Sequence, residues 1–272
     1  MSNYLYSVVL ELRATNAAAL PPTMGHLAHA LFLDLIGQVD PVLAARLHDE
    51  PEYRPFTVSP LGGVVVQGEG IRLQPGQPAR LRFTLLDGGA LWGCLSTRLL
   101  AAEPLVVRLN AAEFVVDRLV STAEADPSGW AGVTTWQALA ATPARRHLTL
   151  QFASPTAFSN GNKRFELLPQ PKRVWESLVR VWNRYAPPLL ALDKAAITTA
   201  LEAAVLVSDH QINTATLHYP KHTQKGFLGS CTYEVEMSDP QAAALAALAA
   251  FARYAGVGYK TTMGMGQVRL DP

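Results

Sequence analysis

The order of periodic segments constrains this chain more than any single motif, because the same order is written twice. "YSVVLELRA" (residues 6–14) alternates as a strand, and "PPTMGHLAHALFLDLIG" follows with Leu27, Leu31, Leu35 and Ile36 at helical spacing and Gly37 as a stop. Asp40 caps a short helix, "DPVLAARLH", with Pro41 at its first position and its end near His48. "RPFTVSPL", "GIRLQPG" and "ARLRFTLLD" read as strands between glycine and proline turns, "GALWGCLSTRLLAA" as a helix, and "LVVRLN" and "EFVVDRLVS" as strands. The second half repeats the plan. "RHLTLQFAS" is a strand, and "PKRVWESLVRVWNRYAP" is a helix whose apolar stripe is Val174, Leu178, Val181 and Tyr185. "NTATLHYP" and "FLGSCTYEVE" pair as strands, Asp239 and Pro240 start the helix "QAAALAALAAFARYA", and Gln267, Val268, Arg269 and Leu270 close on a strand. Each half is βαββαβ, for which the ferredoxin-like unit is the simplest fold. The expectation is an α+β protein of two tandem ferredoxin-like domains, 1–122 and 146–272, joined by a small, polar linker at 123–145.

Composition supports ordered folding and narrows the chemistry. Hydrophobic residues make up 49% and charged residues 17% of the 272 positions, enough to bury two cores without a staple. Cys94 and Cys231 are far apart and neither belongs to a CxxC pair, so zinc ribbons, thioredoxin-type motifs and disulfide scaffolds are disfavoured. No basic segment leads into a long apolar run, and no stretch approaches the ~20 apolar residues of a membrane span, so the reading is a cytoplasmic protein without a membrane partner. A net charge of +1 means that any polyanion site is local.

Four groups of residues are candidates for chemistry. Gly256, Gly258, Gly264 and Gly266 surround Lys260, Thr261 and Thr262. Such a loop either brings backbone amides, the lysine and two hydroxyls onto a phosphate, or makes a tight structural turn; its spacing is neither a Walker loop nor a dinucleotide fingerprint. His48, at the end of its short helix, is suited to acid–base work or to capping. His26 and His29 lie three apart on one helix face and are either core groups or site groups. Basic residues gather at Lys163 and Arg164, at Arg173, Arg180 and Arg184 on one helix face, and at Lys221 and Lys225. A solvated helix face is their ordinary explanation, and a local RNA-binding surface is the other. His218 and His222 have zinc-pair spacing, but Pro220 breaks the helix such a pair needs; Asp49, Glu50 and Glu52 lack a second carboxylate cluster to hold magnesium. The reading is metal-free and cofactor-free chemistry.

Taken together, "LPPTMGHLAHALFLDLI", "DPVLAARLHDEPEYRPFTVSPL", "SPTAF" before "VWESLVRVWNRYAP", the "KGFLG" turn and the terminal "GVGYKTTMGMGQVRL" resemble the CRISPR-associated endoribonucleases of the RAMP superfamily that cut precursor CRISPR RNA within its repeats. The resemblance covers most of the chain. It implies two ferredoxin-like domains side by side with RNA in the cleft and over the face between them, His48 as the principal catalytic group, and Arg54 as a helper just before the "PFTVSP" strand. A tyrosine that some members carry in the first helix falls near Leu33 here, leaving His29, or else His26, as the partner. It implies RNA contacts from Gly258, Lys260, Thr261, Thr262, Gly264 and Gly266, in the family's glycine-rich loop. The implied reaction is metal-independent attack by the RNA 2′-hydroxyl, leaving a 2′,3′-cyclic phosphate and a 5′-hydroxyl. The implied partners are repeat RNA and other CRISPR-associated effector subunits, with the chain a monomer or homodimer. A non-catalytic subunit of the same superfamily that holds guide RNA is the main alternative, and an unrelated enzyme that grips a nucleotide phosphate is a third.

Overall fold

Alternating strands and helices with short turns leave each half of the chain to close its own sheet, and the computed structural model describes that closure for residues 3–50, 54–67, 70–101, 104–162, 164–219 and 222–271. The chain divides into two compact units. One comprises residues 1–133 with Thr262–Gly264, the other Thr134–Thr261 with Met265–Pro272.

The first unit holds β1 (Tyr4–Ala14), β2 (Ala18–Leu20), α1 (Gly25–Gly37), α2 (Pro41–Asp49), β3 (Phe56–Val58), β4 (Val66–Gln67), β5 (Gly70–Leu73), β6 (Pro78–Leu85), α3 (Ala90–Leu99), β7 (Val106–Leu109), β8 (Ala112–Val120) and the start of β9 (Gly132–Thr135). Its main sheet runs β3-β6-β1-β8-β7, with β9 pairing β1, while β2, β5 and β4 form a separate small sheet. Without the β7 edge and β9, β3-β6-β1-β8 is the ferredoxin-like order, and α1 and α3 are its two crossovers. Asp40 is the N-cap of α2, its carboxylate accepting the Leu43 amide at 2.9 Å behind Pro41 at the first turn. One stripe of α1 is buried through Ala28, Leu31, Phe32, Leu35 and Ile36, and Phe32 stacks on Phe56 of β3 with ring centroids 4.2 Å apart.

The second unit holds α4 (Trp136–Ala140), β10 (His147–Thr156), β11 (Phe158–Ser159), β12 (Phe165–Glu166), α5 (Pro171–Tyr185), α6 (Lys194–Ala204), β13 (Val205–Tyr219), β14 (His222–Val235), α7 (Asp239–Ala255) and β15 (Val268–Leu270). Its sheet order, β13-β14-β10-β15, is again ferredoxin-like, with β11 and β12 as a separate hairpin. The α5 stripe packs with α7: Val174, Trp175, Leu178, Val179 and Trp182 are buried, whereas Val181 and Tyr185 of the expected stripe are half-exposed. Trp182 meets Phe251 edge to face at 5.2 Å, and the Trp175 indole donates to the Leu245 carbonyl at 3.1 Å.

Two elements differ from the sequence expectation. Helix α6 was not anticipated, because among its residues only Leu201 is buried and no apolar stripe announces it. Asp193 starts it by accepting the amides of Ala195 and Ala196 at 2.9 and 3.1 Å. Residues 123–145, read as a linker, contain β9 and α4 and bury Asp126, Ala131, Trp136 and Leu139. The physical reason is Asp126, whose carboxylate accepts from the Ser128 amide and hydroxyl and from the amides of Trp130 and Ala131 at 2.6–2.8 Å, turning polar sequence into a fixed loop.

Burial pushes the Asp126 carboxyl up, but hydrogen bonds from Ser128, Ala131 and Trp130 outweigh it and hold the group below its ordinary carboxylate value. A depressed carboxyl stabilises the fold above its unfolded value, and that stability is lost as pH falls through the folded value. Asp126→Asn is expected to cost about 1–3 kcal/mol at neutral pH by turning an acceptor into a donor against those amides. Urea denaturation from neutral to acid pH should show the deficit shrinking as the wild-type carboxylate protonates, and a pH-independent deficit would contradict the assignment.

Candidate active site and nucleic-acid interface

In the first unit, the absence of a side chain on α1 lets the chain at 262–264 lie directly on it. A Cβ at Gly25 would stand 1.6 Å from the Met263 carbonyl oxygen, a contact with main chain that no rotamer relieves. Gly264 has φ of +85°, a left-handed value natural to glycine, and its own Cβ would meet the Gly25 Cα at 3.2 Å. This approach brings the Thr262 carbonyl to His29, whose Nδ1 lies 3.0 Å from it.

That contact fixes the tautomer of His29. A carbonyl only accepts, so Nδ1 carries the proton and, in the neutral ring, Nε2 keeps its lone pair. The ring is buried, 9% exposed, and stacks on Phe56 with centroids 5.5 Å apart. Burial lowers its pKa most, the Thr262 carbonyl opposes that, and the positive charges of Arg54 and His48 lower it further. His29 stacks on Phe56, two residues past Arg54, and α1 packs against α2, whose last turn carries His48, so these three residues lie on adjoining elements. His26, on the same helix, is half-buried, and burial lowers its pKa as well.

His48 sits in the last turn of α2 with an exposed side chain. Arg54 donates from Nε to the Leu47 carbonyl at 2.7 Å and from Nη2 to the His48 carbonyl at 2.8 Å. The guanidinium therefore closes the C-terminal end of α2, satisfying carbonyls that the helix leaves open, and holds the turn that presents His48.

The glycine-rich loop of the second unit turns its amides onto itself and onto neighbouring segments of the fold. The amides of Val257, Gly258, Tyr259 and Gly266 donate to the Gly266 carbonyl, the Ser177 hydroxyl, the Ala157 carbonyl and the Pro155 carbonyl at 2.8–3.1 Å. A Cβ at Gly258 would stand 2.5 Å from the Ala157 oxygen and one at Gly266 2.1 Å from the Val257 oxygen. These glycines serve close backbone packing. The loop's side chains remain: Lys260 is half-buried with φ of +56°, and its Nζ lies 4.4 Å over the Tyr219 ring, 5.3 Å over Tyr259 and 3.1 Å from His222 Nε2. Thr261 and Thr262 are half-exposed.

Of the basic candidates, Arg164, Arg180, Arg184 and Lys225 are exposed. Arg173 is committed to Glu166 and Asn160, and the arginine in turn depresses the Glu166 carboxyl. Lys163 and Lys221 lie outside the described residues. Sequence reading missed two features of the sites. The Thr262 carbonyl, rather than its hydroxyl, holds His29, which no residue pattern announces. Tyr219 and His222 are cross-strand partners whose rings stack at 4.9 Å and 12°, a pairing that aromatic residues flanking a strand turn could have signalled.

Family models match almost end to end. CRISPR Cas6 N-terminal domain matches residues 4–141 and CRISPR-associated endoribonuclease Cas6 matches residues 150–268. The chain belongs to the Cas6 family. A Cas6 product complex, of the protein whose other structure is from Thermus thermophilus, is 30% identical with a TM-score of 0.84, covering 99% of this chain and 100% of that one. A Cas6 substrate mimic complex is 29% identical with a TM-score of 0.74, covering 99% and 100%. The CRISPR-associated endoribonuclease Cas6 of Mycobacterium tuberculosis is 29% identical over 138 residues, 48% of this chain and 41% of that protein, so the match spans well under half of that curated relative's length. Among the described residues no helix is long and apolar enough to cross a membrane, and both cysteines are buried and free.

Gly25→Ala should separate packing from incidental proximity. It is expected to cost about 1–3 kcal/mol by overpacking. It should also raise the His29 pKa toward the ordinary imidazole value as the 262–264 segment lifts and burial is lost, read by denaturant unfolding and by NMR titration of the ring. Unaltered stability and titration would show that the segment does not press on α1.

Proposed function

We propose that this chain is a metal-independent endoribonuclease that cleaves precursor CRISPR RNA within its repeats to produce crRNA. RNA carries its own nucleophile, so the site needs only to take the 2′-hydroxyl proton, to protonate the departing 5′-oxygen, and to steady the crowded phosphorane between them. The products are a 2′,3′-cyclic phosphate and a 5′-hydroxyl.

The observation that carries the reading is His29, held by the Thr262 carbonyl on a helix that packs against α2, whose last turn carries His48 and is closed by Arg54. His29 is the base: burial keeps it neutral and the Thr262 carbonyl leaves Nε2 as the acceptor. His48 is the acid, its side chain exposed on the last turn of α2. Arg54 positions His48 through the backbone and contributes positive charge. His26 shares the His29 helix and is the reserve candidate. RNA is held by Arg164, Arg180, Arg184 and Lys225, by Lys163 and Lys221 as further basic contacts, and by Lys260, Thr261 and Thr262 on the loop shaped by Gly258, Gly264 and Gly266, while Arg173, engaged by Glu166 and Asn160, supports the fold instead. The product and substrate-mimic complexes of the Cas6 relatives support repeat RNA as the ligand.

The test is cleavage of a transcript from the direct-repeat array of the source genome, in chelator. The wild type should cut, and His48→Ala and His29→Ala should each lose about 10²–10⁴-fold in kcat/KM while still shifting the RNA. Because the His29 pKa is lowered, the rising limb of kcat/KM with pH should lie below the ordinary imidazole value of about 6.5 and vanish in His29→Ala. RNA shifted but uncut by the wild type would assign the chain to guide-RNA holding, and undiminished cutting by His48→Ala would move the chemistry elsewhere.

A further inference from the structure

The second unit carries a ring cluster that the cleavage chemistry does not use. Tyr219, at the end of β13, and His222, at the start of β14, stack nearly parallel with centroids 4.9 Å apart. Lys260 lies against both, 4.4 Å over the Tyr219 ring and 3.1 Å from the His222 Nε2. Tyr259 approaches the same ammonium at 5.3 Å and packs on Phe165 at 5.2 Å. Tyr219 is half-buried whereas His222 is exposed, so the stack has an inner ring locked in the fold and an outer ring in solvent.

Two parallel rings with the outer one exposed are a stack that a third planar ring can extend. A fixed ammonium beside that stack suits the phosphate that accompanies such a ring in a polynucleotide. Aromatic faces interleaved with a cation are the arrangement by which proteins hold unpaired nucleotides, since every base has a π-face and each stack contributes without regard to sequence. A base pair in the interior of a helix has both faces covered by its neighbours and cannot use this surface.

We propose that His222, backed by Tyr219, is a stacking platform for one unpaired base of the bound RNA, with Lys260 contacting the adjoining phosphate. This rests on the proposed RNA ligand and adds a specificity element to it: the substrate must present an unstacked nucleotide here, whatever its sequence. Lys260 is preplaced for the task, because its rings and its neighbour His222 hold the ammonium at the edge of the platform before RNA arrives.

The experiment uses the full chain and a single-stranded RNA decamer carrying 2-aminopurine, whose fluorescence is quenched by stacking. His222 is exposed, so its replacement does not disturb the core. His222→Ala should weaken binding about tenfold, the loss of one base stack, and remove the quenching. His222→Phe should restore both, because a ring without nitrogen still stacks. Equal losses in Ala and Phe would overturn the proposal by pointing to a hydrogen bond, and wild-type binding and quenching in His222→Ala would overturn it outright. Repeat cleavage, followed separately, distinguishes this result from a failure of the nuclease reading: a chain that cuts normally with a silent His222 loses only the platform, whereas a wild type that cuts nothing loses the nuclease.

Discussion

The candidate site depends on one close approach of backbone to backbone, the Met263 carbonyl against the first residue of α1. Any side chain at position 25 would occupy the place of that carbonyl. With glycine there, the strand of chain from Thr262 to Gly264 settles against the helix, and the Thr262 carbonyl meets His29 one helical turn further on. A single missing Cβ thus sets the protonation pattern of an imidazole four residues away. Backbone is a better instrument for this than a side chain, since a carbonyl has no rotamers and no titration of its own.

Charge then works on an imidazole whose geometry is already set. His29 is buried enough that the charged form is disfavoured, and Arg54 and His48 add positive charge in the same direction. Arg54 gains this influence through a structural duty, because its guanidinium is anchored on the carbonyls of Leu47 and His48. Removing it would loosen the end of α2 and release His29 from part of its electrostatic pressure together, so loss of activity in an Arg54 variant would not by itself separate charge from position.

The order of elements was legible because strand and helix periods differ and glycine and proline mark the joints, as at Asp40–Pro41 and at Gly37. Where burial is thin the signal fails: α6 buries only Leu201 and left no stripe to read. Where polarity is structural the signal misleads, since Asp126 looks like loop chemistry in sequence and proves to be the hub of a buried turn. At the site, residue types pointed to His29 and His48 and the family resemblance added Arg54, but the roles did not follow from type. The glycine-rich stretch shows the same limit. Four glycines in a row of eleven residues suit either amides turned toward a ligand or chains packed without side chains between them, and only the acceptors at Ser177, Ala157 and Pro155 decide that Gly258 and its neighbours pack.

That packing explains why a lysine is tolerated where glycine would be expected. Lys260 adopts φ of +56°, a conformation that costs a residue with a Cβ about 1–2 kcal/mol relative to the right-handed region. The cost persists only if the surroundings over-determine the backbone. They do, since the amides of Val257 and Met265 are bound within the loop and those of Gly258, Tyr259 and Gly266 to Ser177, Ala157 and Pro155 beneath it. Cation–π contacts of the ammonium with Tyr219 and Tyr259 offset part of the remainder. Glycine at 260 would relax the backbone and lose the ammonium, so the strain is the consequence of placing a cation beside two rings at the tightest point of the turn.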